Sequence, residues 1–153
     1  AIESEYYPEL ILSGRKLNNK IGKHIGQEVL KLMTKKDIPL LNSNVLIMGF
    51  SFKENCPDIR NTRVIDIINH LRNYKCNIEV YDPLVNPGEV DREYGISLID
   101  EPTKEKYDAI IIAVSHDQFR DLEISTLRSF GHSKSIIYDV KYIYDKDEVD
   151  GRL

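Results

Sequence analysis

Residues 107–114 read Tyr107-Asp108-Ala109-Ile110-Ile111-Ile112-Ala113-Val114, the most continuous apolar run in the chain. An apolar run this short, without alternation, marks a strand buried on both faces, as at the centre of a parallel sheet. Working outward, Val45–Gly49 is a second buried strand and Asn77–Tyr81 a third, closed by the turn Asp82-Pro83. Ile96–Ile99 reads as a short strand and Ser135–Val140 as the last one. Helical segments fall between them. Thr62–Tyr74 is amphipathic, with Val64, Ile65, Ile67, Ile68 and Leu71, and shorter helices are expected over Glu89–Tyr94 and Ser125–Phe130. Strands separated by helices predict an α/β fold on a doubly wound parallel sheet.

One long α-helix is expected ahead of that sheet. Pro8 suits a first helical turn, and helical propensity continues to about Lys36. Ile21, Ile25, Val29 and Met33 form an apolar stripe, while Gly14, Gly22 and Gly26 interrupt the helix, each costing up to ~1 kcal/mol relative to Ala. Gly22 and Gly26 share a face on which a partner backbone could approach. Such a helix at a domain edge calls for cover from another subunit or from a missing domain. The expected organisation is therefore a helix over residues 1–38, a connector at Asp37–Asn44, and one α/β domain over 39–153.

Composition narrows the function classes. Hydrophobic residues make up 41% of the 153 and charged residues 30%, the balance of a soluble globular domain. A net charge of -4, with basic residues dispersed, argues against a nucleic-acid-coating surface. No apolar run approaches the ~20 residues of a membrane helix, no signal peptide is visible, and the cytosol is the default compartment. Cys56 and Cys76 are too few for a disulfide framework. The histidines (His24, His70, His116, His132) do not cluster at ligand spacing, so no metal site is expected.

In a doubly wound sheet, ligands bind beyond the carboxyl ends of the strands, which singles out the loops after Gly49, Val114 and Val140. The first loop has one glycine and bulky neighbours where a dinucleotide cradle needs G-x-G-x-x-G. It does place Lys53 and Arg60 beside a helix N-terminus, a combination suited to phosphate. Asp58 can pair with Arg60 or cap the following helix. A solvated charged loop is the alternative reading. In the second loop His116 is either a general base or, as is commoner for a lone loop histidine, a structural hydrogen-bonder. Contiguity excludes Ser115-His116-Asp117 as a hydrolase triad. Asp82, Ser115 and Lys141 near strand ends raise a phospho-accepting receiver domain, but Phe52 and Lys53 stand where its Mg²⁺-binding acids belong. Cys56 has a basic neighbour but no evident base, and Pro57 points to a structural turn.

The strings VLIMGFSFKENCPDIRNTRVIDIINHL, YDP, YDAIIIAVSHDQF and IYDVK resemble, in order and spacing, the C-terminal domain of the UDP-glucose/GDP-mannose dehydrogenase family over roughly Asn44–Lys141. The leading YYPELILSGRKLNNKIGKHI resembles the end of that family's central helix. The resemblance implies a Rossmann-like domain and, for the parent, NAD-dependent oxidation of a sugar C6 alcohol to a carboxylate with two NAD. The wording is most similar to the branch acting on UDP-N-acetylhexosamines for capsule, Vi-type or O-antigen polysaccharides. The resemblance further implies a homodimer through the central helix, and a missing N-terminal domain that binds most of the NAD. The family's catalytic cysteine, which forms a thiohemiacetal and thioester, is not matched by Cys56. The chain alone is therefore expected to bind nucleotide-sugar without redox catalysis. A stand-alone nucleotide-binding module is the alternative.

By the same resemblance, Phe52 and Lys53 match positions that contact the nucleotide-sugar. Arg60 matches an arginine that reaches toward NAD, and Lys141 falls where many relatives carry a substrate-binding arginine. Arg15 resembles an arginine offered to the neighbouring subunit's substrate. Lys141 keeps the charge and gives up the bidentate geometry of arginine.

Overall fold

The computed structural model describes residues 20–153. Alternate residues of the first strand, β1 (Asn44–Met48), enter different cores. Val45 and Ile47 face one side of the sheet, Leu46 and Met48 the other, and all four are buried. Burial on both faces is what makes such a strand read as an unbroken apolar run. β3 (Tyr107–Ile112) does the same, with Ala109 and Ile111 on the first side and Ile110 and Ile112 on the second.

Five parallel strands form one sheet in the order β2-β1-β3-β4-β5, with β2 at Asn77–Tyr81, β4 at Gly131–Asp139 and β5 at Gly151–Arg152. Helix α1 (residues 20–35), α2 (Val64–Arg72) and α3 (Pro87–Tyr94) cover one face. The short α4 (Asp117–Arg120) and α5 (Ile124–Ser129) pack Phe119 and Leu127 on the other. This is the doubly wound α/β arrangement expected from the sequence. Its order reverses between β1 and β3, which opens a crevice at their carboxyl ends.

Three local expectations change. Most of the described stripe of α1 is covered from within: Ile25, Val29 and Met33 are buried on the chain's own core, while Ile21 is 39% exposed. The close approach at Gly22 and Gly26 is also internal, since a Cβ there would lie 2.6 Å from Asp66 Cβ and from His70 Cδ2 on α2. The segment Ile96–Ile99 makes a single parallel bridge, Leu98 to Val80, instead of a strand.

Boundaries elsewhere shift for identifiable reasons. α3 begins two residues early because Asn86 Oδ1 accepts the Glu89 amide at 3.1 Å and Pro87 occupies the first turn. α1 ends where Asp37 turns left-handed (φ 59) and the Ile38 amide donates to Met33 O at 3.0 Å. The start of the long helix at Pro8, Gly14 and Arg15 lie outside the described residues.

Candidate functional site

β1 leaves the sheet at Gly49, whose φ is +98. A Cβ there would sit 2.5 Å from Val114 Cβ, so the glycine lets the ends of β1 and β3 close on each other. The space beside this glycine is filled by a side chain, and a pyrophosphate cannot use it. The loop residues that follow are correspondingly bulky, and the described residues do not make a dinucleotide cradle.

The loop from 50 to 62 is anchored at both ends. Phe50 is buried edge-on against Tyr94, with ring centroids 5.2 Å apart, and Ile59 and Thr62 are buried as well. Tyr94 Oη donates to Ile59 O at 2.7 Å, and the Phe52 amide donates to Asp58 O at 2.7 Å, which folds the loop back on itself. With its base held, the loop projects Phe52 (55% exposed) and Lys53 into a cleft of about 290 Å³.

That cleft lies at the carboxyl ends of β1, β3 and β4. Phe52 and Lys53 come from the first loop, Val114 follows β3, Lys141 follows β4, and Val64 begins α2. Thus Phe52, Lys53 and Lys141, which come from loops at the ends of different strands, line one cavity. Among the described residues neither lysine takes part in an ion pair. The N-terminus of α2 adds backbone dipole of the same sign. Ile21 of α1 and Leu153, both exposed, supply apolar wall. Three cations (Lys53, Lys141 and Arg63, the last paired with Asp66 at 3.6 Å), a helix N-terminus, an aromatic ring and an apolar wall suit a ligand with a polyanionic middle and flat or apolar ends.

Arg60 does not line this cleft. It stays exposed and grips Asp58 through Nε and Nη2, at 3.0 and 2.9 Å. Of the two roles open to Asp58, pairing is the one observed. Arg15 lies outside the described residues, so its relation to the cleft rests on resemblance alone.

The remaining sequence candidates are structural. His116 is fully buried and bonds Asp82 Oδ2 through Nε2 at 2.9 Å, which leaves no access for a substrate proton. Asp82 also accepts the Phe50, Ser51 and Leu84 amides at 2.7, 3.1 and 2.9 Å. Burial pushes its carboxyl up, but the His116 and backbone hydrogen bonds outweigh that and hold it below the usual carboxylate range. So occupied, Asp82 is no receiver-type phosphate or Mg²⁺ site. Asp139 likewise serves its own loop, accepting the Lys141 and Tyr144 amides at 3.1 and 2.9 Å. Sequence reasoning missed Ile21 and Leu153 as cleft wall. Nothing in the local pattern distinguishes a residue that meets the cleft only through tertiary closure.

Comparison with known proteins agrees with this architecture. The chain is 48% identical over 148 residues to a UDP-N-acetyl-D-glucosamine 6-dehydrogenase of Salmonella typhi, covering 97% of this chain and 35% of that protein. It is 41% identical to the Pseudomonas aeruginosa enzyme of the same name, with the same coverage. The chain thus spans about a third of the length of these relatives. Among solved structures, an NDP-N-acetyl-D-galactosaminuronic acid dehydrogenase from Methanosarcina mazei superposes with a TM-score of 0.77 at 20% identity, over 90% of this chain and 28% of that one. A UDP-N-acetyl-mannosamine dehydrogenase from Staphylococcus aureus gives 0.71 at 19% identity, over 99% and 34%. At these identities the two structures speak for the fold. Residues 46–146 match the UDP binding domain of the UDP-glucose/GDP-mannose dehydrogenase family, and the chain belongs to that family.

Proposed function

We propose that this chain is the nucleotide-sugar-binding part of an NAD-dependent 6-dehydrogenase that oxidises the C6 alcohol of a UDP-sugar to the uronic acid. The sugar proposed is an N-acetylhexosamine, in keeping with the names of the relatives above, and the destination proposed is a capsule or related polysaccharide. The observation that carries the reading is the shared cleft of Phe52, Lys53 and Lys141 beside the α2 N-terminus.

In this reading Lys53 and Lys141 face the diphosphate, whose charge is otherwise costly to take from water. The α2 N-terminus supports the same group. Phe52 offers a flat apolar surface. Arg15 is assigned to the neighbouring subunit's substrate in a homodimer built through the helix over 1–38, with 39–153 as the binding domain. NAD is assigned to a preceding domain of the parent, because the loop after β1 has its one glycine closed by Val114. Arg60 would approach that cofactor from outside the cleft. We derive no hydride step through these residues. The compartment proposed is the cytoplasm, and no described helix is long and apolar enough to cross a membrane.

Calorimetric titration of the chain with UDP, UMP and uridine tests the binding role. Binding that strengthens with each phosphate is expected; equal, negligible binding of all three would sink the reading. For the parent enzyme, two NADH per UDP-N-acetylhexosamine consumed is expected, with none formed by this chain alone. Turnover by no UDP-sugar, in a parent that retains NAD, would reduce the function to that of a nucleotide-binding module.

A further inference from the structure

The loop that carries Lys53 into the cleft is tied to the turn after β2 and to the start of α4 by one buried side chain, His116. Its Nδ1 lies 3.0 Å from the Asn55 amide nitrogen, and a backbone N–H can only donate, so Nδ1 is the acceptor. The ring proton therefore sits on Nε2 and is donated to Asp82 Oδ2 at 2.9 Å. Ser51 Oγ is 3.3 Å from the same Nε2 and donates to Lys53 O at 2.8 Å. Asn55 adds a second tie, since its Oδ1 accepts the Asp117 amide at 3.0 Å, and it holds the left-handed backbone (φ 56) that turns the loop. One imidazole thus joins the loop after β1 at Ser51 and Asn55, the turn after β2 at Asp82, and the start of α4. Lys53 lies between Ser51 and Asn55, the two loop residues that His116 touches.

We infer that His116 is a positioning residue for Lys53, fixing the segment from 51 to 55 in the cleft through its neutral, Nε2-protonated ring. This rests on the reading of the cleft as a nucleotide-sugar site. A histidine is suited to the task because it accepts on one nitrogen and donates on the other, across the width of a rigid ring. Neither Asn nor Gln spans both partners at once. Buried polar groups that are fully satisfied in this way specify a single arrangement, and losing one partner leaves a desolvated group unpaired.

The test uses the full ¹⁵N-labelled chain. Imidazole ¹⁵N shifts are expected to report the Nε2–H tautomer for His116, and an Nδ1–H tautomer would overturn the inference. His116→Gln keeps a donor toward Asp82 and removes the acceptor for Asn55. It is expected to weaken UDP binding by about tenfold or more. The Asn55 and Phe52 amides are expected to lose protection from hydrogen exchange while Phe50 and Leu84, which donate to Asp82, keep theirs. A merely structural role would loosen all four alike, and that result, or UDP affinity within about twofold of wild type, overturns the proposal. Should His116→Gln fail to fold, Ser51→Ala decides, since it removes the hydroxyl that bonds Lys53 O and leaves the Asp82–His116 pair in place. Unchanged UDP affinity in that variant overturns the inference, and weakened affinity supports it. If the wild-type chain binds no UDP, the nucleotide-sugar reading fails on its own account, and the tautomer and the exchange pattern still decide whether His116 sets the loop.

Discussion

Arg60 holds Asp58 in a two-pronged grip, Nε to Oδ1 at 3.0 Å and Nη2 to Oδ2 at 2.9 Å, with the Arg60 amide also donating to Oδ1 at 2.9 Å. The side-chain hydrogen bond from Arg60, reinforced by its amide, lowers the Asp58 carboxyl to about 2. The pair lies at the surface, with the Asp58 side chain only partly covered, so its consequence lies in titration more than in stability. Carboxyl ¹³C shifts should show Asp58 titrating near that value, and Arg60→Ala should move the midpoint upward. A midpoint that ignores the substitution would mean that the grip does not persist in solution. For the proposed approach of Arg60 to NAD the pair has a consequence of its own: the arginine must leave Asp58 first. Asp58→Asn in the parent should therefore alter KM for NAD more than KM for UDP-sugar.

Gly49 against Val114 is the tightest backbone approach beside the cleft. Both the left-handed φ and the contact forbid a side chain, so Gly49→Ala should cost roughly 2–4 kcal/mol in urea unfolding. Removing the opposing Cβ separates the two causes. In Gly49→Ala with Val114→Gly the side-chain part of the clash is relieved and the φ part stays, so the double variant should lose less than the sum of the single ones. Full additivity would show that the two sites do not touch.

The sequence carried the central strands because burial on both faces leaves a visible mark. Val45–Met48 and Ala109–Ile112 need apolar residues at every position, and they have them. Ile96–Ile99 is apolar at every position but Ser97 and forms only a bridge, since composition does not say whether an edge has room for another ladder. β5 left no mark at all: Gly151-Arg152 joins the sheet through two residues with no apolar pattern. Within the site, Phe52, Lys53 and Lys141 were nameable because motif and strand-end position agree. The tie from His116 to Asp82 was not, because it links residues 34 positions apart and neither residue type announces which of several roles it fills.

Asp150 gives the fold an acid-sensitive clasp. Its carboxylate accepts the Ile137 amide at 2.8 Å, Arg128 Nη1 at 2.9 Å and Lys36 Nζ at 3.0 Å, tying β4, α5 and the end of α1 to the last turn. Burial raises this carboxyl, but those three donors outweigh it and leave it below its ordinary value. A depressed carboxylate stabilises the fold above its unfolded pKa, and that contribution is lost as pH falls through the folded one. Asp150→Asn should cost roughly 1–3 kcal/mol near neutrality, and the gap from wild type should narrow as pH falls through and below the ordinary carboxylate range. A gap that stays constant across that range would mean that the charge of Asp150 contributes nothing.

Lys53 is the residue on which the proposed function turns most directly. It reaches the cleft from a loop whose ends are buried, and no described carboxylate pairs with it there. Its ammonium is therefore available to a bound phosphate without first breaking an internal contact. Lys53→Ala in the parent should lower kcat/KM for UDP-sugar by about tenfold or more, about 1.4 kcal/mol of transition-state stabilisation. Lys53→Arg should recover part of the loss, because charge is kept while the donor geometry changes. A ground-state contact with the diphosphate raises KM and spares kcat, whereas a contact with the reacting sugar lowers kcat as well. Unchanged kcat/KM in Lys53→Ala would remove Lys53 from the site, and with it the main support for placing the diphosphate in this cleft.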